Sequence, residues 1–117
     1  GVERAVMVLQ EFSDIIKAND PLIFVAPIGF NQQTKCFDLM DELRRAGIKC
    51  EMDYSKEDLK AQLKAANKCN ASYTLIFGEE EAENNNIVVK DMNSGEQHCL
   101  SLENLVEELA KLVQTDS

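Results

Sequence analysis

The run LIFVAPIG (residues 22–29) decides how the rest of the chain is read. Its first five residues are apolar without a break, over a length too short for a buried helix. That is the pattern of a strand covered on both faces, and the proline and glycine behind it punctuate its end. A strand buried on both sides needs helices over each face. The segments around it should therefore alternate between helical and strand periodicity.

Downstream they do. Asn31 stands where it can cap a helix that turns Cys36, Leu39, Met40 and Leu43 inward, with Phe37 alongside. The pattern runs to Ala46, and Gly47 stops it where a left-handed C-terminal glycine belongs. IKCEM (48–52) alternates as a strand. Ser55, with Asp58 three residues on, makes a variant capping box for a second helix carrying Leu59, Leu63 and Ala66 inward. SYTLIF (72–77) is a third buried strand, closed by Gly78, and GEEEAENNN (78–86) reads as an exposed loop. NIVVKDM (86–92) and QHCLS (97–101) then flank the hairpin turn Asn93-Ser94-Gly95. Ser101 caps a last helix with Leu102, Leu105, Val106, Leu109, Leu112 and Val113 on one face. The expected fold is α/β: a mixed sheet of about five strands with flanking helices, a parallel β-α-β-α-β unit followed by an antiparallel hairpin.

Upstream of the opening run, Val2, Ala5, Val6, Leu9, Phe12 and Ile16 recur at helical spacing, with Val8 and Ile15 widening the stripe. No capping residue stands before it. The expected division is a terminal helix and linker over 1–20 and a single domain over 21–117.

Composition narrows the function. The net charge is −9 over 117 residues, but it is unevenly spread: −2 over 1–34, +1 over 35–68 and −8 over 79–117. A nucleic-acid partner would have to be met locally, since the whole-molecule field repels phosphate. No apolar run approaches the ~20 residues of a membrane span and no leader pattern is visible, so the expected setting is cytoplasmic, away from membranes. Cys36, Cys50, Cys69 and Cys99 show no C-x-x-C spacing, and His98 is the only histidine. Reduced thiols are expected, with no metal site.

Catalytic readings start poorly: His98 has no nucleophile partner, and no glycine-rich phosphate loop is present. Glu79, Glu80, Glu81 and Glu83 are dense enough for a cation site or an acid pair, yet such runs are more often solvated. Lys56, Lys60, Lys64 and Lys68 recur every four residues along the second helix. They form either a solvated face or a local basic ridge able to meet a phosphate backbone. Ligands of open parallel sheets gather at the carboxyl ends of the strands, here Pro27-Ile28-Gly29, Asp53-Tyr54 and Gly78-Glu79.

In the same order along the chain stand LIFVAPIG, DLMDELRRAGIKCEMD, LKAQLKAANK, ASYTLIFGEEE and IVVKDMNSGEQ. This succession, covering roughly 21–113, resembles the anticodon-binding domain of class II aminoacyl-tRNA synthetases. Histidine-specific ligases match best, on KDMNSGEQ and LKAQLKAA. GVER at the start resembles the end of class II motif 3, whose arginine, here Arg4, contacts ATP in the catalytic domain. Motifs 1 and 2 are not in the chain, so Arg4 is expected to be an orphan.

The resemblance implies tRNA as partner, specifically histidine-accepting tRNA, and a parent chain with a catalytic domain that is a homodimer using ATP and magnesium. No cofactor and no catalytic residue is implied for these 117 residues. It places Pro27, Ile28 and Gly29 in the loop that approaches anticodon bases. Glu81 matches the carboxylate of a Gly-x-x-Glu able to accept hydrogen bonds from a base, and Lys90 a basic position on the next strand. Lys56, Lys60 and Lys64 are the candidates for tRNA backbone contact. Phe30 and Tyr54 are the stacking candidates near the site, each equally readable as packing. Where relatives have a glycine after the second helix, Asn70 stands here, a residue that tolerates a left-handed backbone. A regulatory or protein-interaction module built on the same fold, without tRNA charging, is the alternative.

Overall fold

The computed structural model describes residues 5–6, 14, 18, 21–56 and 58–105. The expected buried strand is β2, Ile23–Pro27, preceded in the chain by a two-residue strand, β1, Ala5–Val6. A single 3-10 turn, Phe30–Gln32, leads into helix α1, Gln33–Arg45. Strand β3 (Cys50–Met52), helix α2 (Leu59–Lys68), strand β4 (Tyr73–Phe77) and the short helix α3 (Glu79–Asn84) follow. The chain closes its sheet with β5, Asn86–Asp91, and β6, Gln97–Ser101. Residues 102–105 are helical. No helix among the described residues is long and apolar enough to cross a membrane.

Among the described residues the strands form one sheet in the order β1-β6-β5-β4-β2-β3. β2 pairs parallel with both β3 and β4, as the β-α-β-α-β pattern requires. β5 and β6 add antiparallel, with Leu75 opposite Val89 and Val88 opposite Cys99. The mixed sheet is thus the expected one, extended by a strand at its far edge. There Ala5 and Val6 pair parallel with His98 and Cys99. Sequence spacing put these two residues in a helix. The alternation of Val6 and Val8 about Met7 suits a strand equally, and the free edge of β6 supplies the ladder that decides between them. Asp14 and Ala18, further along that segment, are helical.

Both crossover helices end in the same way. After α1, Gly47 N–H donates to Arg44 O at 3.0 Å and Ile48 N–H to Leu43 O at 2.9 Å, with Gly47 at φ 81°. After α2, Asn70 N–H donates to Asn67 O at 3.1 Å and Ala71 N–H to Ala66 O at 3.0 Å, with Asn70 at φ 60°. These are paired Schellman turns, one built on glycine and one on asparagine, and each turns the chain directly back toward the next strand.

The helix starts differ from expectation. Asn31 lies inside the 3-10 turn, and the residue before α1 is Gln32, with no side-chain cap. Asp58 caps α2 itself, accepting the Ala61 N–H at 3.1 Å, while Ser55 bonds to Asp53 instead. A carboxylate directly before the helix competes better for its free N–H groups than a hydroxyl three residues earlier. Ser101 does cap the last helix, accepting from Asn104 N–H at 3.4 Å. The stretch expected as a loop after Gly78 holds α3, because three glutamates in its first turn suit the positive helix start.

The sheet carries a core on each face. Toward α1 lie Ile23, Val25, Leu75, Phe77, Ile87, Val89 and Leu100, against Cys36, Leu39, Met40, Leu43, Leu102 and Leu105. Toward α2 lie Phe24, Ala26, Ile76 and Val88, against Ala66 and Ala71, with Leu63 partly buried. Leu59, expected inside, is 41% exposed. In its place Gln62 is fully buried, alongside Ala66.

Candidate nucleic-acid interface

Three segments leave the sheet at the carboxyl ends of its parallel strands: 27–32 after β2, 53–58 after β3, and 78–81 after β4. Alternation decides how each is held. Residues 23, 25 and 27 of β2 turn their backbone polar groups toward β3, while Ile28 N–H turns the other way and donates to Phe77 O at 2.9 Å. The β2–β3 register ends with Val25 opposite Met52, so Pro27 lies beyond its neighbour, where a missing N–H costs nothing. Gly29 follows at φ 93°, and a Cβ there would come within 3.0 Å of the Gln32 side chain. The positive φ favours glycine at this turn, and the Gln32 side chain would have to shift to admit any other residue. The turn leaves Phe30 66% exposed at the rim.

Glu81 reaches back from the first turn of α3 and accepts the Gly78 N–H at 2.9 Å. It is only 9% exposed. A Cβ on Gly78 would stand 3.1 Å from the Glu81 carboxylate and 3.5 Å from Ile28 Cβ. Gly78 therefore leaves room for Ile28 and Glu81 each to approach its backbone, and the segments expected around a base, Pro27-Ile28-Gly29 and Glu81, meet at this glycine.

The turn after β3 is organised by Asp53. Its carboxylate accepts the Ser55 N–H at 3.0 Å and the Ser55 hydroxyl, and these bonds hold its pKa below the ordinary carboxylate value. Tyr54 is 64% exposed, its ring centroid 6.1 Å from that of Phe37, which is itself 48% exposed. Phe37, Met40, Arg44, Met52 and Tyr54 are among the residues lining an open groove of about 350 Å³ along the β3 edge.

Two glutamines fasten this turn to the helices. Gln33, at the start of α1, donates through Nε2 to Tyr54 O at 2.9 Å. Gln62, in the second turn of α2, points Nε2 at three backbone carbonyls: Lys56 O at 2.9 Å, Pro27 O at 3.0 Å and Asp53 O at 3.3 Å. Only the amide nitrogen can face three acceptors, which settles the orientation of the side chain. Its Oε1 is buried and has no hydrogen-bond partner among the described residues. An orphaned acceptor of this kind costs about 1–3 kcal/mol. Gln62 was missed in the sequence, though it had a signal: it occupies a helical-face position among Leu59, Leu63 and Ala66 where an apolar residue belongs.

The basic candidates divide. Lys56, Lys60 and Lys64 are exposed, and the row starts beside the Pro27 loop and runs away from it along α2. The helix α3 on the other side of the β2 loop carries only acidic charge. Lys90 pairs with Thr74, three residues before Phe77, so it sits roughly 10 Å down the strands from the loop cluster. It shares the sheet face of Val88, toward α2. Arg4 lies outside the described residues. The four cysteines are free thiols. Among the described residues no group of three His, Cys, Asp or Glu side chains is placed to hold a metal ion.

Residues 22–112 match the family model described as an anticodon binding domain. The chain is 36% identical over 114 residues to a histidine–tRNA ligase of Halothermothrix orenii, a match covering 97% of this chain and 27% of that one. It is 41% identical over 110 residues to that of Listeria monocytogenes serotype 4b, covering 93% and 26%. It thus spans about a quarter of the length of these relatives. Among solved structures, apo histidyl-tRNA synthetase of S. aureus superposes with a TM-score of 0.68 at 29% identity, covering 86% of this chain and 28% of that one. The RNA binding domain of threonyl-tRNA synthetase from Cryptosporidium parvum shares the fold, with a TM-score of 0.67 at 20% identity, over 80% and 24%.

Proposed function

The chain belongs to the anticodon-binding domain family, in the form found in histidine–tRNA ligases, and from that premise we propose that it recognises the anticodon of histidine-accepting tRNA. The observation that carries the reading is the convergence of Pro27, Ile28 and Gly29 with Gly78 and Glu81 at the carboxyl ends of β2 and β4. A loop base unstacked from its RNA meets there a carboxylate able to accept from its N–H groups and backbone groups at its edge. Phe30 and Tyr54 stand exposed on either side as stacking surfaces, worth about 1–3 kcal/mol for each base engaged. Lys56, Lys60 and Lys64 run along the phosphate backbone, and Lys90 reaches the same strand from the sheet.

The chemistry of charging belongs to the rest of a longer, homodimeric cytoplasmic protein. ATP and magnesium act in its catalytic part. The role of this domain is to select and orient the tRNA. With a net charge of −9 the domain attracts RNA only where its basic side chains gather locally, so binding should be modest and steeply salt-dependent.

The test is a titration of the chain with histidine tRNA and with the same tRNA carrying a substituted anticodon, at several salt concentrations. A clear preference for the matched anticodon is expected. Reversing Lys60 and Lys64 to glutamate should weaken both complexes and flatten the salt dependence, each lysine removing about one unit of slope. Equal affinity for both RNAs would refute anticodon recognition.

A further inference from the structure

We infer that Gln62 is a positioning residue that sets the Pro27 loop, the 53–56 turn and the lysine row in one fixed relation. The inference rests on the anticodon-reading role and identifies what holds its parts in place. Pro27 ends β2 with its carbonyl turned toward a strand that has already stopped, and Asp53 and Lys56 bracket the turn that carries Tyr54. Three carbonyls from two separate loops therefore converge, and among the described residues only Asp53 O has a backbone donor, the Lys56 N–H at 3.5 Å. The Gln62 amide enters this gap from α2, satisfies Pro27 O and Lys56 O closely and shares a longer contact with Asp53 O.

A side chain serving only the core would not look like this. The site is fully buried, the residues beside it on the helix face are leucine and alanine, and Gln62 leaves its own Oε1 unpaired among the described residues. Leucine or methionine would pack there without an orphaned acceptor. What an apolar residue could not do is hold two loops together. Lys60 and Lys64 flank Gln62 on the same helix, so the amide also registers the phosphate-facing row against the base-facing loop.

The test uses the whole 117-residue chain. Gln62→Met keeps length and removes both donors; Gln62→Asn keeps the amide but falls one methylene short. In RNA titrations with matched and substituted anticodons, Gln62→Met should reduce the preference about tenfold while leaving the salt slope unchanged. Gln62→Asn should fall between it and the parent. Without RNA, nitrogen-15 relaxation should show residues 28–30 and 54–56 loosening together in both variants, with β4 and β5 unaffected. A folded Gln62→Met that keeps its preference and its loop order overturns the inference. So does an equal loss of affinity for both RNAs, or unfolding of both variants, which would make Gln62 a core residue alone. If the parent chain has no anticodon preference, anticodon recognition fails and the relaxation measurement still decides the role of Gln62.

Discussion

The two faces of the sheet are built on different principles. Toward α1 the contacts are large and apolar throughout: Leu39, Met40 and Leu43 meet Ile23, Val25, Leu75 and Phe77, with no buried polar side chain among them. Toward α2 the helix contributes Ala66 and a buried glutamine, and the strand beneath it contributes buried Thr74. Hydrophobic burial is non-directional and supplies most of the stability; hydrogen bonds are directional and define position. The first face holds the domain together, and the second aims it. The candidate site lies at the end of the sheet where the second face meets the loops.

This contrast can be broken experimentally. Leu43→Ala, in the apolar face, should cost about 2–5 kcal/mol in urea denaturation, because it empties a fully enclosed position. Ala66→Leu, in the α2 face, should cost about 1–3 kcal/mol by overpacking, and should also disturb the loop tethered through Gln62. A smaller loss at Leu43 than at Ala66 would invert the assignment.

The cysteines report on the same division without altering the fold. Cys36 and Cys50 lie in the apolar core, whereas Cys69 is exposed at the end of α2. At mildly alkaline pH, iodoacetamide should modify Cys69 first and reach Cys36 and Cys50 only on unfolding. Burial pushes the Cys36 thiol up from 9.0 to about 12. Its contribution to stability is therefore complete below pH 9.0 and lost as pH rises toward 12, since the unfolded chain releases that proton first. Equal labelling rates for Cys36 and Cys69 in the folded state would contradict the packing described.

The smallest effect belongs to the surface turn. Asp53 is held below its ordinary pKa chiefly by Ser55, so its carboxylate favours the folded turn above the unfolded value and loses that advantage as pH falls through the folded one. Ser55→Ala should raise the Asp53 midpoint in a carbon-13 NMR titration. An unchanged midpoint would remove Ser55 from the turn.

Much of this organisation could be read from the chain. The strands follow from short apolar runs, and Gly47 and Asn70 announce their turns because few residues adopt positive φ without strain. What escaped was set by partners distant in sequence. Ala5 and Val6 fit two periodicities, and only the edge of β6 chooses between them. Gln62 interrupts an apolar row for the sake of carbonyls up to 35 residues away, which no local pattern encodes.

The pairing of Ala5 and Val6 with His98 and Cys99 also bears on where the domain can be cut. The family match begins at residue 22, yet removing everything before it would uncover the outer N–H and C=O groups of β6. An open strand edge is a template for another chain. A shortened version starting at Leu22 should self-associate more readily as its concentration rises than one that retains Ala5 and Val6 over the middle of β6.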